Sequence, residues 1–191
     1  MITSKDRDDV AIVGAGFSGL CMAIELKEAG MDSFTIYEKE DELGGTWRDN
    51  TYPRCGCDIP SHLYSFSFEL NSRWSRSYSR QPEILEYIRD VAEKYDLYDH
   101  IQFDTKITEL EFHRDQAEWS LESDDGRSYR AASTVLGVGP LSRPMVPDFD
   151  GREEFEGRAF HSARWPDDFD PEGKRIAVVG TGASSVQIVP G

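Results

Sequence analysis

Apolar residues in this chain fall into short unbroken runs and into helical repeats, separated by polar stretches rich in glycine and proline. Asp9–Val13 is an unbroken run, the pattern of a strand buried on both faces, and it ends at Gly14. Phe17–Ala29 repeats at helical spacing, with Leu20, Ala23, Ile24 and Lys27 along one face and Gly30 placed to stop it. Ser33–Tyr37 is a second apolar run with Glu38 directly after it, so residues 9–38 read as one βαβ unit. Residues 39–81 have no periodicity, but Trp47, Tyr52, Tyr64, Phe66, Phe68, Trp74 and Tyr78 argue for an ordered functional loop rather than disorder. Pro82 opens an amphipathic helix whose Ile84, Leu85, Ile88, Val91, Ala92 and Tyr95 share a face. Segments 101–113, 116–123 and 127–131 alternate, with Asp125 and Gly126 as a turn signal, and predict a small antiparallel meander. Ser133–Val138 predicts a further strand closed by Gly139 and Pro140. Residues 140–173 read as a connector, Arg175–Val179 as a buried strand and Ser184–Val189 as the start of a helix.

The elements predict an α/β fold in which a strand–glycine–helix opening occurs twice. The expected organisation is a first nucleotide domain over 1–140, a linker over 141–174, and the truncated start of a second nucleotide domain over 175–191. In that arrangement Ile176, Val178, Val179, Val186 and Ile188 are short of partners, because a lone strand and helix cannot bury their apolar faces.

The net charge of −15 over 191 residues makes nucleic acid an unsuitable partner. It fits either a high-salt cytosol, where screening removes the self-repulsion, or simply an acidic protein. The polar start and the lack of a long apolar run predict a cytoplasmic protein that does not enter membranes. Cys21, Cys55 and Cys57 do not form a disulfide framework; Cys21 falls in the first helix, where a core position is expected. Cys55 and Cys57 lack the two-residue spacer of a redox pair, and no further Cys/His cluster completes a metal site.

Two motifs carry chemistry. Gly14-x-Gly16-x-x-Gly19 follows a strand, opens a helix and is followed 19 residues on by Glu38. In that context Gly14 permits the tight turn, Gly16 lets a pyrophosphate approach the backbone, and Gly19 allows close packing of helix on strand. The helix N-terminus would face the pyrophosphate, and Glu38 would accept from ribose hydroxyls. Phe17 and Ser18 complete this turn. Gly180-Thr181-Gly182-Ala183-Ser184-Ser185 has the same entry, with Ser185 in place of the third glycine. Two dinucleotide sites point to electron transfer between two redox cofactors.

Together these motifs resemble the N-terminal part of class B flavin-dependent monooxygenases, and among them Baeyer–Villiger monooxygenases. The resemblance runs along essentially the whole chain. It rests on the first glycine motif, Glu38, Leu43-Gly44-Gly45-Thr46-Trp47, Asp58 through Tyr64, Gly139, Phe155-x-Gly157-x-x-x-His161-x-x-x-Trp165-Pro166, and Gly180-x-Gly182. It implies FAD at the first site and NADPH at the second, with hydride passing from nicotinamide to flavin. It also implies O₂ as co-substrate and a small ketone as substrate, converted to an ester or lactone. Gly45, Thr46, Trp47 and Tyr64 match flavin-lining positions, Ile107 and Gly139 further cofactor-binding positions, and Gln187 a position of the second site. Asp58 matches a carboxylate that, in the family, pairs with an active-site arginine stabilising the oxygenating species. Phe155, Gly157, His161, Trp165 and Pro166 match a hinge signature that couples nicotinamide movement to flavin chemistry.

Other readings stay open at this level. Asp58 also reads as a loop-capping carboxylate and His161 as a structural histidine. N- or S-oxygenation, or an inactive FAD-binding fragment, would share much of the pattern. A thiol–disulfide reductase is disfavoured by the cysteine spacing. One departure is local: Arg54 stands where the family has glycine, at a position where glycine would permit positive φ or close approach.

Overall fold

Four of the six strands in the sheet are joined by an early parallel core. β1 (Asp8–Val13) pairs in parallel with β2 (Phe34–Tyr37) on one side and β6 (Ser128–Leu136) on the other, and β2 pairs in parallel with β3 (Ile101–Gln102). β4 (Ile107–His113) and β5 (Glu118–Ser123) extend the sheet antiparallel from β6, giving the order β3-β2-β1-β6-β5-β4. The computed structural model describes residues 7–190. The chain divides into two compact units. One holds the described residues up to Gly45 together with Tyr87–Pro140; the other holds Thr46–Glu86 and the described residues from Leu141 onward.

The first unit contains the whole sheet. Val10, Ala11 and Ile12 of β1 and Phe34, Ile36 and Tyr37 of β2 are buried, as uninterrupted apolar runs require in a parallel sheet. Ala11, Tyr37, Leu121 and Ala131 form a core cluster, with Val13, Ile107, Leu110, Trp119 and Tyr129 packed on it. α1 (Phe17–Glu28) buries Gly19, Leu20, Ala23, Ile24 and Leu26 and ends with Gly30 at φ +75°. Lys27, on that helix, donates from Nζ to the carbonyls of Tyr95 (2.7 Å) and Asp96 (3.1 Å), which directly follow α3 (Gln81–Lys94). A cation there satisfies carbonyls that have no partner within the helix.

Four sequence expectations change here. The last strand of the meander does not stop at residue 131: β4, β5 and β6 are antiparallel, but β6 continues past Ala131 to pair with β1, so the segments expected at 127–131 and 133–138 merge into the single strand Ser128–Leu136. The 101–113 segment splits, its first two residues joining the parallel edge through β2. Residues 175–179 form no strand, and Ile176 (46% exposed) and Val179 (78%) lie open. An apolar run becomes a strand only when another strand takes its N–H and C=O groups, and among the described residues none does. α4 (Ala183–Ile188) still forms, since helical hydrogen bonds are internal. Cys21 is half-buried rather than core.

In the second unit, residues 46–81 of the irregular stretch contain a one-turn helix α2 (Thr46–Asp49) and are ordered by backbone bonds across their own turns. Cys57 N–H donates to Ser79 O (2.9 Å), Ser61 N–H to Ser77 O (2.8 Å) and Gln81 N–H to Cys55 O (2.9 Å). The buried hydroxyls of Ser61 and Ser79 meet at 2.8 Å. No helix among the described residues is long and apolar enough to cross a membrane.

Candidate functional site

The glycine turn is built by backbone crowding. Gly14 has φ +102°, which an L side chain rarely adopts, and its N–H donates to Tyr37 O (2.8 Å). A Cβ on Gly19 would drive into the carbonyl of Gly14, so the helix can sit this close only with glycine there. Gly137, just past β6, is held by Val13 O (2.8 Å), and a Cβ on it would lie 3.0 Å from Gly19 N and 3.3 Å from Gly14 O. Gly137 was not singled out from the sequence. Its signal was a glycine at the end of an apolar strand, two residues before Gly139.

The start of α1 is open. Gly16 is its N-cap in extended conformation, no side chain caps it, and no acidic residue lies in its first turn. Ser18 is exposed and Phe17 is half-buried beside Tyr87, ring centroids 6.2 Å apart. Gly45 (φ +52°) faces Gly16: a Cβ on Gly45 would lie 3.3 Å from Gly16 Cα. Gly44 N–H, donating to Ala15 O at 2.9 Å, fixes that approach. Two bare glycines therefore wall a cradle at a helix N-terminus, where N–H groups and the helix dipole favour an anion.

Glu38 closes the cradle. It is 3% exposed, and its carboxylate accepts from Ala15 N–H (2.8 Å) and Glu40 N–H (3.2 Å). The acid at the end of β2 is thus bonded to the glycine turn itself. A carboxylate offers about four lone-pair sites, the acceptor chemistry that ribose hydroxyls take. The donor set, the bare glycines and the buried acid fit a dinucleotide's ADP moiety. Ile107, by contrast, is half-buried against the sheet core, and Gly139 (φ +67°) is exposed beyond β6.

The remaining candidates lie in the second unit. Trp47 is buried on α2, and its indole N–H donates to Tyr64 Oη (2.9 Å) with the rings edge to face at 5.5 Å. Burial pushes the Tyr64 phenol up, which keeps it neutral. Thr46 and Asp58 are exposed. Arg54 adopts φ +65°, so the chain keeps the left-handed turn that glycine would favour and places an arginine in it. Cys55 and Cys57 are buried free thiols whose pKa values burial raises, the opposite of what an attacking thiol needs.

Gly180 has φ +136° and Gly182 caps α4, with Thr181 and Ala183 exposed and Ser184 and Ser185 half-buried. Gln187 turns to the Tyr52–Gly56 segment: its Oε1 accepts from Tyr52 Oη (3.0 Å) and Gly56 N–H (3.2 Å), and its Nε2 donates to Gly56 O (2.8 Å). Burial pushes the Tyr52 phenol up to about 12. In the hinge signature, His161 Nδ1 accepts from Ala163 N–H (3.1 Å) and so caps the turn Ser162–Arg164. Trp165 meets Phe160 (5.2 Å) and Phe169 (5.6 Å) edge to face, and Arg158 pairs with Asp168 at 2.6 Å over the Phe169 ring. Phe160 and Phe169 are members of this cluster that the sequence motif does not include. Phe155 is exposed, its ring folded over Gly157, and Pro166 is half-buried.

The profile of the pyridine nucleotide-disulphide oxidoreductase family matches residues 11–189. A Baeyer–Villiger monooxygenase of Pseudomonas aeruginosa is 50% identical over 181 residues, covering 95% of this chain and 34% of that protein. Epsilon-caprolactone-bound cyclohexanone monooxygenase superimposes with a TM-score of 0.89 at 38% identity, over 96% of this chain and 37% of that one. OTEMO in complex with FAD and NADP superimposes with a TM-score of 0.84 at 34% identity, over 95% and 36%. The chain spans about a third of the length of the curated relatives it matches. It belongs to the pyridine nucleotide-disulphide oxidoreductase family, and within that family its likeness is to Baeyer–Villiger monooxygenases.

Proposed function

We propose that this chain forms the flavin-holding part of an FAD- and NADPH-dependent monooxygenase that inserts one oxygen atom of O₂ into a ketone, giving an ester or lactone. The observation that carries the reading is the cradle of Gly14, Gly16, Gly45 and Glu38 within a chain half identical to a Baeyer–Villiger monooxygenase. FAD bound there would accept hydride from NADPH and activate O₂. Gly16 and Gly45 leave room for the pyrophosphate to reach the α1 N-terminus, and Glu38 takes ribose hydroxyls while holding Ala15 in place. Trp47, fixed by Tyr64, offers a rigid ring two residues after Gly45 in the sequence. Asp58, exposed and acidic, would hold a cation whose charge in turn stabilises negative charge developing on oxygen. Gly180–Ser185 would take the nicotinamide nucleotide. The lactone carried by the related cyclohexanone monooxygenase supports the ketone assignment.

The test is flavin content and product identity. Purified protein should release FAD on denaturation. With NADPH, isotopically labelled O₂ and a cyclic ketone it should form labelled lactone. Oxide formed from an amine or thioether, with no lactone, would move the assignment to heteroatom oxygenation; colourless protein that takes up no added FAD would overturn the reading. A second reading, flavin binding without turnover by this chain alone, is favoured by the open apolar residues Ile176 and Val179. It predicts stoichiometric FAD but no NADPH oxidation.

A further inference from the structure

Gln187 commits its side-chain amide to the segment that carries Asp58. Its paired bonds with Gly56 N–H and C=O reproduce the two-way exchange between facing strand residues, with a side-chain amide in place of a peptide. Gly56 is gripped on its other side as well: it bridges antiparallel to Arg80, and a Cβ on it would lie 2.9 Å from Ser79 O. The third bond comes from Tyr52, a buried phenol that donates to the same amide oxygen at 3.0 Å. The task needs an oxygen that accepts twice and a nitrogen that donates once. Among side chains only the primary amides offer both, and Asn is one methylene shorter. The buried Cys55 and Cys57 flank the gripped glycine, and the exposed Asp58 follows directly.

We infer that Gln187 is a positioning residue: its three hydrogen bonds fix the Tyr52–Asp58 segment, so that the placement of the Asp58 carboxylate depends on the state of the second glycine turn. α4 begins one residue after Gly182, and Gln187 is its fifth residue. A nucleotide that orders the turn sets the register of this short helix, and the register sets where the amide sits. The inference rests on the roles proposed for Asp58 and Gly180–Ser185.

The experiment reads thiol protection in the protein as purified. A pyridyl disulfide reagent is added under native conditions, and the rates at Cys55, Cys57 and Cys21 are separated by mass spectrometry. Cys21, half-buried in α1 of the other unit, is the internal reference. Gln187→Met keeps side-chain length and loses all three bonds, so Cys55 and Cys57 should react about tenfold or more faster relative to Cys21. Gln187→Glu keeps both acceptor bonds and should fall between. Adding NADP⁺ should slow Cys55 and Cys57 in the wild type and leave Gln187→Met unchanged. A space-filling role predicts that Gln187→Met matches the wild type, and general loss of folding predicts that all three cysteines accelerate together; either result overturns the inference. NADP⁺ without effect on the wild type overturns the coupling to the glycine turn. Flavin content, measured on the same samples, reports separately on the proposed function. Protein without FAD sinks that reading while the thiol ratios stay interpretable.

Discussion

Replacing Glu38 tests the cradle most directly. The carboxylate is 3% exposed, and its contact with Ala15 N–H is 2.8 Å in a fully buried setting. Hydrogen bonds to charged groups contribute about 1.5–3 kcal/mol each, and a buried donor left without an acceptor costs about 1–3 kcal/mol. Glu38→Ala removes the acceptor for Ala15 and for Glu40, so stability should fall by about 2–4 kcal/mol, a large part of the usual total of about 5–15. The same change would remove the charge-assisted bond to the ribose that the proposed function assigns to Glu38. At about 1.4 kcal/mol per factor of ten, the FAD dissociation constant should rise about tenfold to a hundredfold. Glu38→Gln keeps one acceptor oxygen but brings an NH₂ group against one of the two N–H donors, so it should lie between wild type and alanine on both scales. Thermal unfolding gives the first quantity and flavin fluorescence titration the second. If Glu38→Ala binds FAD as the wild type does and melts at the same temperature, the acid neither braces the turn nor holds the sugar.

Other outcomes follow from single positions. Gly137→Ala should cost about 1–3 kcal/mol and weaken FAD binding, because the new methyl meets backbone at Gly19 and Gly14 that cannot swing aside; unchanged unfolding would remove Gly137 from the turn. Arg54→Gly should raise stability by about 1 kcal/mol by relieving the φ +65° conformation, whereas Arg54→Ala should give no such gain; equal melting temperatures for the two variants contradict this. Tyr52 holds its proton to about pH 12 in the fold, against an ordinary value of 10.0, while the unfolded chain ionises earlier. Its stabilising effect is therefore complete below pH 10 and is lost as pH rises toward 12. Burial raises Tyr37 as well, so phenolate absorbance should show one late-titrating tyrosine fewer in Tyr52→Phe than in the wild type, and a titration identical in the two proteins would refute the assignment.

Sequence reading succeeds where structure is local. The βαβ unit was legible because each element carries its own signature: an uninterrupted apolar run, a helical repeat, a stop glycine and an acid at a fixed distance. Arg54 shows a different kind of legibility. The comparison of residue types marked its turn as glycine-like, and the backbone indeed takes the left-handed conformation with arginine in place. Three things were not legible. Gly137 matters because the end of β6 comes against Gly14 and Gly19, more than a hundred residues away along the chain. The aromatic cluster draws Phe160 and Phe169 to Trp165 with no periodicity to announce it. Gln187 looks from the sequence like part of a nucleotide turn, yet its amide is engaged with Gly56 and Tyr52.

By itself, the sequence determined which segments could become strands and helices and where the backbone needed glycine, because those properties depend on near neighbours and on the conformational range of single residues. Pairing was decided only in three dimensions. One strand passes from an antiparallel neighbour to a parallel one without a break at Ala131, while the apolar run at Arg175–Val179 finds no pairing strand among the described residues. The physical reason is that a strand, unlike a helix, satisfies its backbone hydrogen bonds outside itself, so its existence depends on which other segment the fold brings alongside.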